Sequence, residues 1–177
     1  MKKWLIGLAT MLGFASQAQS ADINPALQDL SYVFFMVGET NVVDRAWLDP
    51  KRLDFSVDSL KYVNQYLDHV RTNPELEQAQ PYLITVLRAG AYTGEVIRKQ
   101  DKAKKWIWLD FEAAKKISPE FFAPYEKNEL GLMAVLYDGE GFAFPIAKVQ
   151  KYIQNGEEDD LSFFAQIIMA NGSKKPK

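Results

Sequence analysis

Residues 105–111 read K-W-I-W-L-D-F, and this stretch decides the predicted fold. Within it, Ile107 and Leu109 alternate with Trp106 and Trp108, a period of two that is typical of a β-strand. The segments before it instead repeat their apolar residues every three or four positions, as amphipathic helices do. The chain therefore changes from helix to strand at this point.

Two more strands and further helices are predicted after this stretch. Residues 130–137 form a nearly unbroken apolar run, 138–141 read as a turn, and 142–144 return as a strand. Pro145 and Asp160 then open two helices. With helices on both sides, the order predicts an α+β fold, in which a small antiparallel sheet of about three strands packs with four to six helices in a single domain.

The helices before the strand are read from apolar spacing and from their end signals. One is predicted from Asn24 to about Gly38, a short one over 41–48, and the clearest over 57–72, with Ser56 as its N-cap. A second long helix is predicted over 79–99.

Two glycines interrupt the helix predicted over 79–99. Gly90 and Gly94 lie four residues apart and therefore share a face. Because glycine costs about 1 kcal/mol relative to alanine inside a helix, a compensating reason is needed. We predict that both glycines lie at a close contact with another element.

A second face of the same helix carries Arg88, Tyr92, Glu95 and Lys99 at spacings of four, three and four. This pattern is typical of a solvent-exposed face, and exposure is our prediction. Its members are also candidate binding residues. The alternative is that the carboxylate of Glu95 is partly buried. Glu95 is then the one candidate catalytic residue.

Trp106 and Trp108 are expected to lie on the same side of their strand, with Asp110 next in line. If helices cover that side, both indoles belong to the core, which is where large aromatic residues usually lie. If the side is open, the two indoles form an apolar patch that would bind a partner. Both are therefore also candidate binding residues.

The N-terminus has the three parts of a secretory signal. Lys2 and Lys3 are followed by an apolar run over 4–15 and by small residues at cleavage spacing. This run is shorter than the roughly 20 residues that span a bilayer. We therefore predict a cleaved signal peptide over 1–20, a mature domain over 21–172 and a disordered basic tail over 173–177, in the periplasm or secreted, with no stable membrane insertion after cleavage.

Composition excludes several kinds of chemistry. The chain has no cysteine, one histidine (His69) and a net charge of −2, so neither a thiolate site nor nucleic-acid binding is expected. No serine lies in a G-x-S-x-G elbow, and His69 is expected on the surface. The acidic run over 157–160 suits a helix N-terminus. We predict no metal and no cofactor.

Three segments resemble a group of small, uncharacterised bacterial domains. They are L-D-F-S-V-D-S-L-K-Y-V-N-Q-Y-L (53–67), G-A-Y-T-G-E-V-I-R (90–98) and F-P-I-A-K-V-Q-K-Y-I-Q-N-G-E-E-D (144–159). The resemblance covers most of the mature chain and implies no activity and no functional residues.

Two functions remain open from the sequence. The first is a non-enzymatic periplasmic binding or inhibitory protein, of the immunity type, that acts on another periplasmic protein. The second is a small cell-envelope hydrolase that uses carboxylates, with Glu95 as the candidate.

Overall fold

The structure is a computed structural model that describes residues 22–36, 38 and 41–171. The predicted signal peptide (1–20) and tail (173–177) lie outside the described residues. The helices are α1 (Asn24–Val33), α2 (Leu60–Thr72), α3 (Tyr82–Gln100), α4 (Phe111–Ile117), α5 (Pro119–Phe122), α6 (Pro145–Asn155) and α7 (Leu161–Asn171). The strands are β1 (Ile107–Asp110), β2 (Ala134–Tyr137) and β3 (Phe142–Ala143).

The sheet has the predicted form. Its order is β1-β2-β3, both pairings are antiparallel, and Leu136 faces Trp108 on one side and Ala143 on the other. The carboxylate of Asp138 closes the β2–β3 turn by accepting hydrogen bonds from the amides of Glu140 and Gly141. The predicted α+β fold of helices around a three-stranded antiparallel sheet is therefore confirmed, although the described part of the chain has seven α-helices and not four to six.

Helix α3 is the centre of the fold, because α1 and α6 both pack against it. A Cβ atom added to Gly90 would lie 2.7 Å from the Cα of Ile146, at the start of α6. At Gly94 it would lie 2.1 Å from Cζ2 of Trp108 on β1. The prediction that both glycines lie at close contacts is confirmed.

The predicted exposure of the second face of α3 is wrong. Arg88, Tyr92 and Glu95 are all buried, with Glu95 only 2% exposed. A polar face at helical spacing is usually solvated, but here neighbouring segments cover α3 along most of its length. Its first residues, such as Leu83 and Ile84, and its last ones, such as Lys99, remain open to solvent.

Several element boundaries differ from the predicted ones. The helix predicted over 41–48 is reduced to a 3-10 helix at Arg45–Trp47, and the helix predicted from residue 57 begins at Leu60 after a turn. The strand predicted from residue 130 begins with a 3-10 helix at Leu130–Leu132. The structure adds α4 and α5, in a segment where no helix is predicted from the sequence.

Candidate functional site

The two predicted tryptophans are buried, and a carboxylate binds each indole. Nε1 of Trp108 donates to Oε1 of Glu95 at 2.8 Å, and Nε1 of Trp106 donates to Oδ2 of Asp101 at 2.8 Å. Because Glu95 lies on α3 and Asp101 directly follows it, these bonds fix the sheet to the end of that helix. Both tryptophans therefore belong to the core.

The candidate catalytic carboxylate is already engaged inside the protein. Oε1 of Glu95 accepts a second hydrogen bond, 2.5 Å long, from Nη1 of Arg98. A buried carboxylate needs such partners, because burial without them is costly. The arrangement is that of a structural ion pair beneath Trp108.

Tyr92 and Arg88 also bind other parts of the chain. The hydroxyl of Tyr92 accepts a hydrogen bond of 2.9 Å from the amide of Phe55 and lies 2.7 Å from Oγ of Ser59. Burial raises the pKa of Tyr92 to about 12. Arg88 donates to the carbonyl of Asn41 at 3.2 Å. These contacts connect α3 to the segments before α2.

His69 is not freely exposed on the surface as predicted. Its side chain is 13% exposed, because the ring of Trp47 stacks on it with the centroids 4.1 Å apart. Its Nε2 lies 2.8 Å from Oδ2 of Asp44, and its Nδ1 lies 3.2 Å from Nδ2 of Asn73. Since both ring nitrogens have a partner, the imidazole is not placed to take a proton from a nucleophile.

Two residues of the acidic run before α7, Asp159 and Asp160, bind nearby groups. Asp159 binds Nζ of Lys148 at 2.7 Å and Nδ2 of Asn155 at 2.6 Å, and both hydrogen bonds hold the pKa of Asp159 below its usual value. Asp160 accepts a hydrogen bond from Asn64 and caps α7 through the amide of Phe163. Across residues 22–36, 38 and 41–171, no cluster of three His, Cys, Asp or Glu side chains has the geometry to hold a metal ion.

A groove with a volume of about 590 Å³ opens between α5, the 3-10 helix at 130–132 and α6. We name it the aromatic groove. Its lining comprises Phe121, Tyr125, Glu129, Leu130, Gly131, Leu132, Phe144, Ala147, Gln150 and Lys151. The rings of Phe121 and Phe144 stack with their centroids 5.8 Å apart, yet Phe121 remains 47% exposed and Tyr125 39% exposed. This groove therefore presents aromatic surface to solvent.

Sequence reasoning missed the aromatic groove entirely. The segment F-F-A-P-Y at 121–125 supplies two of its aromatic residues: Phe121 lies on the short α5, and Tyr125 follows that helix. A signal was present, because three aromatic residues within five positions are far more than one short helix can bury alone. Phe122 goes into the core beside Phe111, whereas Phe121 is left outside.

A second cavity, of about 560 Å³, lies at the end of α3, and we name it the basic cleft. It is lined by Asp22, Asn24, Gln28, Glu95, Arg98, Lys99, Lys104, Lys105, Trp106 and Ile107. Among the predicted site residues, Glu95 and Trp106 meet in its wall. Arg88, Tyr92 and Trp108 are not part of its lining.

Comparison with protein-family models, with curated proteins and with solved structures found no match to this chain. Of the helices in the described part of the chain, none combines the length and the apolar character that crossing a membrane requires.

Proposed function

We propose that this is an exported, non-enzymatic binding protein of the inhibitory or immunity type, which recognises another periplasmic protein through the aromatic groove. The observation that carries the proposal is the exposed aromatic lining of this groove, with Phe121 about half exposed. Aromatic residues that line a concavity are enriched where binding energy is concentrated in protein interfaces. The signal-like N-terminus supports the periplasmic location.

The shape of the groove favours a polypeptide over a small molecule. A ligand site typically covers 70–90% or more of a drug-sized ligand. Here Phe121 and Tyr125 stay exposed in the walls themselves. A partner protein can insert an apolar side chain between them and still cover the surrounding surface, including the polar side chains of Glu129 and Lys151.

The hydrolase hypothesis has less support. Its candidate, Glu95, already accepts hydrogen bonds from Arg98 and Trp108 through one oxygen and is 2% exposed. A general acid or base needs its carboxylate within hydrogen-bond reach of the substrate. A glycosidase pair also needs a second carboxylate facing it, roughly 5–10 Å away. Asp22 is the other carboxylate in the basic cleft, and it is turned toward Asn24.

A peptide-display selection tests the proposal without knowledge of the natural partner. The purified protein is used to select from a library of random 12-residue peptides, and a recovered peptide is synthesised and titrated by calorimetry. We expect peptides that share one or two large apolar residues. Their affinity should fall by about tenfold or more in Phe121→Ser, because a buried aromatic anchor is lost.

Phe163→Ser is the matched control, because Phe163 is another exposed phenylalanine, 62% exposed, on α7. The peptides should bind this variant as tightly as they bind the parent. Equal loss in both variants, or recovery of peptides with no apolar residue in common, would contradict the proposal. Preferential binding of acyl-chain detergents over any peptide would show that the groove takes a lipid instead.

A further inference from the structure

We propose that the basic cleft is a second, separate binding site, for a small ligand that carries an oxyanion such as a carboxylate or a phosphate ester. The cleft lies at the C-terminal end of α3, shares no lining residue with the aromatic groove, and combines the guanidinium of Arg98 with three lysines. Its lining holds four cationic side chains against the two carboxylates of Asp22 and Glu95.

Arg98 supplies the ordered donor. Its Nε donates to the carbonyl of Trp106 at 3.2 Å, and its Nη1 donates to Glu95. These two bonds fix the plane of the guanidinium, which has five N–H donors in a rigid fork. Among the residues that the structure describes, Nη2 makes no hydrogen bond, and the side chain is 23% exposed. The remaining donors are therefore oriented before a ligand arrives, which lowers the entropic cost of binding.

Ion pairs within the protein determine how much positive charge in the cleft is available to a ligand. The charge of Arg98 is balanced by Glu95, and the charge of Lys104 is balanced by its ion pair with Asp138, whose side chain is 2% exposed. Lys104 also lies 3.7 Å from the carboxylate of Glu140, and the ammonium of Lys99 is directed to Tyr32 and Phe55. Lys105, opposed by Asp22, and the outer donors of Arg98 are therefore the groups left for one oxyanion of a ligand.

Charge–dipole stabilisation does not explain this cluster by itself. Arg98 and Lys99 lie in the last turn of α3, where cations interact favourably with the helix dipole. Lys99 also donates to the hydroxyl of Tyr32 at 3.0 Å. Lys104 and Lys105, however, lie beyond the helix, in the segment that leads to β1. They line the same cavity as Arg98, so the positively charged side chains surround a cavity and are not confined to the end of a helix.

The experiment is an NMR titration of the purified protein with inorganic phosphate and, separately, with acetate, at constant ionic strength set with chloride. The indole N–H of Trp106 and the backbone amide of Lys105 report on the cleft. We expect saturable shifts of both signals. Saturation by phosphate alone indicates a phosphate-bearing ligand, and saturation by acetate as well shows that the cleft also accepts a carboxylate.

Three variants test the assignment of residues. Lys105→Gln, at an exposed side chain, should weaken binding about twofold to fivefold. Asp22→Asn should strengthen it by a similar factor, because an opposing charge is removed while the hydrogen bond to Asn24 is kept. Lys127→Gln is the matched control, since Lys127 lies outside the cleft with its side chain 68% exposed, and it should leave the affinity unchanged.

Two results would overturn the proposal. One is the absence of saturable shifts with either anion. The other is equal weakening in Lys105→Gln and Lys127→Gln, which would show that the anions respond only to net charge. The peptide selection on the aromatic groove does not involve this cleft, so the two proposals can fail independently.

Discussion

Replacing Gly94 with alanine perturbs the contact on which the packing of α3 against the sheet depends. Alanine is the better helix former by about 1 kcal/mol, so on an open face this change would stabilise the protein. Here the new Cβ would lie 2.1 Å from Cζ2 and 2.3 Å from Cη2 of Trp108, and 3.3 Å from Cγ of Pro145. The first two distances are too short for non-bonded carbon atoms, so the indole must move.

The size of the effect follows from what holds the indole. Trp108 is 1% exposed, and its Nε1 is bound to Glu95, so it has no free volume to enter. Overpacking a core costs about 1–3 kcal/mol, and a stretched hydrogen bond to a buried carboxylate adds about 1–3 kcal/mol. After subtraction of the gain in helix propensity of about 1 kcal/mol, we expect Gly94→Ala to lower the free energy of unfolding by about 1–5 kcal/mol.

Urea unfolding followed by far-ultraviolet circular dichroism measures this change. Gly141→Ala is the control, because nothing lies within 4 Å of a Cβ added at Gly141, in the β2–β3 turn. That variant should change the free energy of unfolding by less than about 1 kcal/mol. If Gly94→Ala is as stable as the parent, the glycine is not there for packing, and our explanation of the close contact is refuted.

Three further predictions concern the core, the pH dependence and the groove. Tyr92→Phe should lower the free energy of unfolding by about 1–3 kcal/mol, measured in urea, because the buried amide of Phe55, whose φ is +62°, loses its acceptor. Burial acts to raise the pKa of Asp138, but hydrogen bonds from Lys104 and the turn amides outweigh it and the pKa lies below its usual value. This stabilisation is therefore present above the unfolded pKa of about 3.9 and is lost as the pH falls through the folded pKa, so Asp138→Asn should weaken the dependence of thermal unfolding on pH below about 4. Phe121→Ser should change the unfolding midpoint in urea little, because half of that side chain is already exposed.

Local patterns in the sequence predicted the framework well. The alternation at 106–109 marked β1, the glycine spacing marked the contact of α3, and Pro145 marked the start of α6. Each of these signals depends on residues that are close together in the chain. Local backbone geometry determines these patterns, so the elements that they predict are also present in the folded protein.

The site was harder to predict, because it depends on contacts between distant segments. The face of Arg88 and Glu95 has the spacing of a solvated surface, and only the packing of α3 shows that it is buried. The aromatic groove joins Phe121 to Phe144 across more than twenty residues. The aromatic run at 121–125 indicates that some of its residues stay exposed, but it does not indicate which of them enters the core.

The most direct test of the central claim is a calorimetric titration of one selected peptide into two variants of the protein. Glu95→Gln alters the candidate catalytic carboxylate, and Phe121→Ser alters the aromatic groove. We predict that the Glu95→Gln protein, once shown to be folded by circular dichroism, binds the peptide as the parent does. The Phe121→Ser protein should lose at least about tenfold in affinity. Loss of binding in Glu95→Gln together with full binding in Phe121→Ser would contradict the account.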